Sequence, residues 1–187
     1  MFSDTSNCTG SHSHKYFALH MCGNIPGDGA SYHTLSIQLV NKSRNRSWNI
    51  LNWNIRGLNS PDKWLAIRQK IEESAAGILC LQETKRQAFD LAYIHNFCPQ
   101  RFNKFEFLPS IGASGGILTA WNEALFNGQL LFQNKCSLSM QFTCTSTNKP
   151  WILTNIYGPC NLEDKLEFID WFTNIQMSDD VDWIVMG

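Results

Sequence analysis

No stretch of these 187 residues approaches the ~18 consecutive apolar residues that a membrane-spanning helix requires. The chain does not open as a secretory signal peptide does. Polar residues interrupt MFSDTSNCTGSHSHKYFALHMCG throughout, with no basic start and no apolar stretch of roughly 7–15 residues. Neither a membrane partner nor secretion is expected, and an intracellular location, nucleus or cytoplasm, is. Charge is sparse, at 17%, and 15 basic residues face 16 acidic ones. That excludes a polyelectrolyte-like disordered chain, a histone-like protein and a highly charged coiled coil. A pI near 6.5 leaves no whole-chain basic footprint, so any contact with a polyanion has to be local. The seven cysteines form no C-x-x-C pair and no regular spacing. Reduced thiols fit that better than a disulfide framework or a zinc module.

What is present is a large apolar fraction, 43% of residues with 12% aromatic, enough for one domain with a sizeable core. The chain changes character near position 47. Residues 1–47 hold four of the five histidines (His12, His14, His20, His33) and many Ser, Asn and Gly. Four bases there (Lys15, Lys42, Arg44, Arg46) outnumber two acids (Asp4, Asp28). Apart from LSIQLV the stretch has little periodicity, so it is expected to be a largely disordered leader. His12 and His14 stand two apart with no regularly spaced acid or Cys, so a metal cluster is not expected there.

From residue 48 to 187 short apolar runs alternate with amphipathic stretches, which predicts an α/β domain. WNILNWN (48–54), GILCLQ (77–82) and GGILTAW (115–121) read as strands. Ser60-Pro61-Asp62 reads as a helix start: a capping hydroxyl, a proline at the first position and an acid in the first turn. Trp64, Ile67 and Ile71 follow at helical spacing. Residues 86–97 read as a short helix with Phe89, Tyr93 and Phe97 on one side. LSMQFTCTS (138–146) and WILTNIY (151–157), joined through TNKP, read as a hairpin. A helix from about Asn161 is expected to turn Leu162, Leu166, Ile169 and Phe172 inward, and WIVMG (183–187) is a last strand.

The chemistry is sought just past strand C-termini, where loops leave side chains exposed on a rigid frame. Asn54, Gln82-Glu83, Tyr157 and Gly187 all stand at such ends. Gln82 would point to the face opposite Glu83 and is read as structural. Gly115-Gly116 is read as backbone geometry.

These residues lie in order in NWNIRGLN, CLQETK, SGGI and NIYGP. In this the chain resembles the endonuclease/exonuclease/phosphatase superfamily. Within it, the chain is similar to the exonuclease-III-like endonuclease domain of plant LINE-type non-LTR retrotransposons, over about 48–187. The resemblance implies a four-layer α/β sandwich and Mg²⁺-dependent cleavage of DNA phosphodiesters, with Mn²⁺ as the alternative ion. It implies that Glu83 ligates the metal, that Asn54 helps orient metal waters and phosphate, and that Tyr157 contacts the scissile phosphate. Arg56 and Lys85, in the same loops, are candidate phosphate contacts. A hard ion that keeps several waters suits one or two carboxylates, and neutralises charge on the phosphate and leaving oxygens.

The resemblance also implies motifs that these 187 residues do not contain. WIVMG ends on Gly187 where a Gly-Asp-x-Asn motif would begin, a later Ser-Asp-His motif is not there, and Cys160 stands where a polar residue would follow the Tyr. The expectation is the N-terminal part of a target-nicking endonuclease, inactive alone, poorly stable and with WIVMG as an exposed edge. Two other readings stand beside it. One is a non-catalytic module binding nucleic acid or protein; no basic-aromatic stripe supports it. The other is a further superfamily member, such as an abasic-site repair endonuclease or a small-molecule phosphoesterase. NIRGLNSPDK and NIYGP favour the retrotransposon type.

Overall fold

The computed structural model describes residues 15–18, 31–41, 44–112, 114–159, 162–175 and 181–187. The rest of the expected leader lies outside the described residues, His12 and His14 included.

Among the described residues ten strands form two five-stranded sheets. In the first, β2 (Ser31–Asn41), β3 (Arg44–Asn54), β4 (Ala76–Gln82), β6 (Ser114–Trp121) and β5 (Lys104–Ile111) lie side by side in that order. In the second the order is β1 (Lys15–Ala18), β10 (Asp182–Met186), β9 (Pro150–Ile156), β8 (Ser137–Cys144) and β7 (Phe126–Asn134). The period-2 alternation of a strand sends neighbouring residues to opposite faces. Ile50, Ile78, Cys80 and Ile117 of the first sheet therefore pack on Met140, Phe142, Trp151, Leu153 and Ile184 of the second. The intervening residues Leu51, Trp53, Leu79, Leu81 and Leu118 pack with the helical residues Ile67, Ile71 and Ile94. On the far side Ile152, Ile156, Trp183 and Val185 meet Phe168 and Phe172. The result is helix, sheet, sheet, helix: the four-layer α/β sandwich that the resemblance implied.

Helix α1 (Pro61–Ser74) begins as read. The Ser60 side chain accepts from the Lys63 amide, Pro61 opens the helix, and Ile67 and Ile71 are buried. It ends at Ala75 with φ 50°, a left-handed C-terminal position usually taken by glycine. Ala75 is exposed, so Ala75→Gly removes a strained Cβ that is not part of the buried core. It is expected to stabilise the fold by about 0.5–1 kcal/mol, against the ~1–2 kcal/mol that left-handed geometry costs an L-residue. A thermal melt reads this as a rise in Tm.

Four sequence expectations need correction. Within the expected leader, residues 31–41 form β2, which pairs antiparallel with β3 from Ser31↔Asn54 to Asn41↔Arg44. LSIQLV alternates apolar Leu35, Ile37 and Leu39 with polar Ser36 and Gln38, a strand period that the open edge of β3 can use. WIVMG is not an edge: β10 runs parallel between β9 and β1, with Lys15↔Trp183 through Ala18↔Met186. The helix expected over 86–97 shrinks to α2 (Leu91–Ile94), because Asp90 caps it by accepting from the Tyr93 amide. Helix α3 (Leu162–Asn174) is rotated from the expected facing. Phe172 packs inward as expected, with Phe168 beside it, whereas Leu162, Leu166 and Ile169 are 73%, 60% and 55% exposed. The aromatic rings of Phe168 and Trp171 offer the larger apolar surface, and Trp171 packs on Phe132 of the edge strand.

Candidate active site

β3 and β4 run parallel, and their C-termini meet in register at Asn54↔Gln82. The two chains leave the sheet together. The amides of Ile55, Gly57 and Leu58 donate to the carbonyls of Gln82, Glu83 and Thr84 at 3.0, 2.6 and 3.0 Å. The second loop is then tied to β6, with Thr84 N and Lys85 N donating to Gly116 O and Gly115 O at 3.1 and 3.0 Å. Lys63 of α1 secures the first loop, its Nζ donating to Ile55 O at 2.8 Å and Arg56 O at 3.3 Å.

These bonds hold the backbone in an unfavourable shape. Arg56, Glu83 and Lys85 have φ of 50°, 52° and 54°, and Gly57 has 103°. Left-handed geometry costs each non-glycine residue about 1–2 kcal/mol. Such strain persists where the surroundings fix it and concentrates at functional sites.

The strained loops bring Asn54 and Glu83 together. Asn54 Nδ2 donates to Glu83 Oε1 at 2.9 Å, and Asn54 Oδ1 accepts from the Arg56 amide at 3.3 Å. The Asn54 amide is thereby oriented at both ends. Both side chains are half-buried, and Arg56 and Lys85 are exposed beside them. A carboxylate offers about four acceptor positions, so one bond from Asn54 leaves Glu83 capacity for a cation. Among the described residues no group of three or more His, Cys, Asp or Glu converges. The donor set is thus one carboxylate and one amide. That matches an ion which retains most of its waters better than one which demands an all-protein cage.

Tyr157 follows β9 on the other sheet. Its amide donates to Cys136 O at 2.8 Å, and its half-buried ring packs against the core between the sheets. Gly187 lies beside it at the end of β10, where a Cβ would come 2.7 Å from Ile156 O. Gln82, expected to point away from Glu83, is buried between the sheets. Its Nε2 donates to Asn52 Oδ1 at 2.6 Å and to Asn155 Oδ1. That contact ties the C-terminal end of β4 to the C-terminal end of β9, so Asn54, Glu83 and Tyr157 occupy one rim of the sandwich.

Sequence reasoning missed Asn52 and Asn155. The signal was available: each is an amide inside an apolar strand, in phase with residues that face the other sheet. It also missed β5 and β7. Their mixed exposure and internal Pro109 or Gly128 blur the period-2 signal at a sheet edge.

No family model matches the chain, and no curated protein matches it. Solved structures do. The AP endonuclease LMAP from Leishmania major aligns over 68% of this chain and 44% of its own, at 17% identity and a TM-score of 0.46. The APE2 catalytic domain of Xenopus laevis aligns over 65% and 48%, at 18% identity and 0.45. The human Nocturnin catalytic domain aligns over 66% and 51%, at 14% identity and 0.46. The chain spans about half the length of these structures. Among the described residues no helix is long and apolar enough to cross a membrane.

Proposed function

We propose that this chain is the N-terminal part, residues 48–187 with the β2 strand added, of a metal-dependent phosphodiesterase acting on DNA. In this reading it is of the endonuclease/exonuclease/phosphatase type and nicks the target in non-LTR retrotransposition, in the nucleus or cytoplasm. The observation that carries the reading is the Asn54–Glu83 hydrogen bond on strained loops at adjoining parallel strand ends. Glu83 is the Mg²⁺ or Mn²⁺ ligand and Asn54 fixes its rotamer. When bound, the metal would neutralise charge on the phosphate and on the leaving oxygen. Arg56 and Lys85 stand within the same two loops, where they supply local positive charge to a phosphate backbone. Tyr157 offers a hydroxyl from the opposite sheet. Gly115 and Gly116 shape the loop and do no chemistry.

One carboxylate seldom holds Mg²⁺ without substrate phosphates to help. A positioned general base contributes ~10²–10⁴ in rate, and no described side chain is bonded to the pair in a way that supplies one. The 187-residue chain is therefore expected to bind Mn²⁺ weakly and to leave supercoiled plasmid intact in Mg²⁺. A longer polypeptide that continues past Gly187 into a Gly-Asp-x-Asn motif should nick it, and Glu83→Ala in that polypeptide should abolish nicking. Metal-independent nicking, or nicking unchanged by Glu83→Ala, would sink the proposal.

A further inference from the structure

The apolar core between the two sheets gives way at one end to three amides and a hydroxyl. Asn52 of β3, Gln82 of β4 and Asn155 of β9 are each 1% exposed or less, as is Thr119 of β6. All four project from inter-sheet faces, in phase with Ile50, Cys80, Leu153 and Ile117 of the intervening core. The Gln82 carboxamide sits at the centre. Its Nε2 donates both to Asn52 Oδ1 on its own sheet and to Asn155 Oδ1 on the facing sheet. Asn155 Nδ2 then donates to Leu118 O at 3.0 Å and Thr119 Oγ1 at 3.2 Å. With two acceptors to serve, the orientation of the Gln82 amide is forced. Its Oε1 has no hydrogen-bond partner among the described residues.

Buried amides are a poor way to hold two sheets together. Burying a polar group with incomplete hydrogen bonding costs free energy, and an apolar side chain of similar volume serves stability as well or better. The remaining inter-sheet core is Ile, Leu, Met, Phe, Trp and Cys, so the amides are a local exception. Their places in the sequence give the exception a meaning. Asn52 precedes Asn54 by two residues on the same face of β3. Gln82 immediately precedes Glu83, and Asn155 precedes Tyr157 by two. Each member stands one or two residues before one member of the candidate site. Gln82 is the only described side chain that bonds the strand leading to Glu83 with the strand leading to Tyr157.

We propose that the Gln82 carboxamide, with Asn52 and Asn155, is a positioning network that fixes the Asn54–Glu83 pair and Tyr157 relative to one another across the two sheets. Directional bonds specify the relative placement of strand ends, whereas apolar contacts allow sliding. The strained Glu83 linkage then starts from a fixed point. This inference rests on the proposed site, but it concerns geometry and holds or fails without metal.

The test replaces the whole network in the 187-residue chain by apolar residues, Asn52→Leu, Gln82→Met and Asn155→Leu together, so that no amide partner is stranded. Gln82→Met alone is the second variant. The wild-type Asn54 side-chain amide should give a hydrogen-bonded, slowly exchanging ¹H–¹⁵N pair in metal-free solution. In the triple variant the cooperative melt should persist with Tm unchanged or raised. The Asn54 pair should nevertheless move to solvent-like positions and the Tyr157 ring signals should broaden. Mn²⁺ affinity should fall about tenfold or more, the scale seen when residues supporting a metal ligand are removed. Gln82→Met should show the same Asn54 change with a lower Tm. If the Asn54 and Tyr157 signals match wild type in both variants, the network is only core packing and the inference is overturned. It is also overturned if the triple variant loses its cooperative melt, because the network would then be needed for the fold itself. If wild type binds no Mn²⁺ while the Asn54 signal responds as stated, the cation reading falls and the positioning role stands.

Discussion

Gly116→Ala is expected to destabilise the fold by about 3 kcal/mol, one of the largest effects open to a single methyl group in this chain. Two physical terms add. Gly116 has φ 87°, and an L-residue with positive φ pays on the order of 1–2 kcal/mol. A Cβ there would also lie 2.3 Å from Thr84 Oγ1 and 3.3 Å from Lys85 N. Thr84 is buried and stiff at χ1, so it has little room to give way, and overpacking of this kind costs about 1–3 kcal/mol. The terms separate in a double-mutant cycle. Thr84 Oγ1 has no hydrogen-bond partner among the described residues, so Thr84→Ala strands nothing. In the Thr84→Ala background Gly116→Ala should cost only the backbone term, about 1–2 kcal/mol. Urea melts of the four chains measure the difference. Equal costs in both backgrounds would mean that the collision with Thr84 is relieved elsewhere. The result bears on the site, because Gly116 O receives the Thr84 amide that holds the loop carrying Glu83.

That glycine shows what was legible in the sequence. SGGI reads as backbone geometry without any structure, since glycine is the residue that accepts positive φ. The strands WNILNWN, GILCLQ and WILTNIY, the Ser60 cap and the β8–β9 hairpin read equally well, because continuous apolar runs and cap chemistry are local signals. That Asn54 and Glu83 stand at strand ends follows from those runs; that the two ends adjoin is what the resemblance implied, and no local signal carries it. What did not read out is what depends on partners distant in sequence. β1 and β2 are strands because β10 and β3 offer them open edges; LSIQLV alone carried a strand pattern, and it stood isolated in a polar stretch. The facing of α3 is set by which apolar stripe finds the second sheet. Of the expected inward stripe Leu162, Leu166, Ile169 and Phe172, only Phe172 reached the core, joined there by Phe168. The amides Asn52 and Asn155 were hidden for the same reason. Their role exists only once two sheets face each other.

The second large effect concerns Glu83, and it sets stability against function at one position. Glu83→Gly and Glu83→Ala both remove the carboxylate, so both lose the bond from Asn54 and any cation held there. Mn²⁺ binding at the site should vanish in both variants, since the described donor set contains no second converging carboxylate. The variants differ in backbone cost. Position 83 has φ 52°, a conformation that alanine adopts only with strain and glycine adopts freely. Glu83→Gly should therefore be more stable than Glu83→Ala by about 1 kcal/mol, even though glycine generally loses more chain entropy on folding. For a chain of this size the difference is a Tm gap of roughly 2–4 °C. The ordering also tests why the strain is there. If glycine is the more stable replacement, the fold alone would favour glycine at 83, and the glutamate is present for its carboxylate. If alanine is equal or better, the loop relaxes on losing Glu83, and the left-handed backbone is a consequence of the Asn54–Glu83 bond instead of a strain the surrounding loops impose.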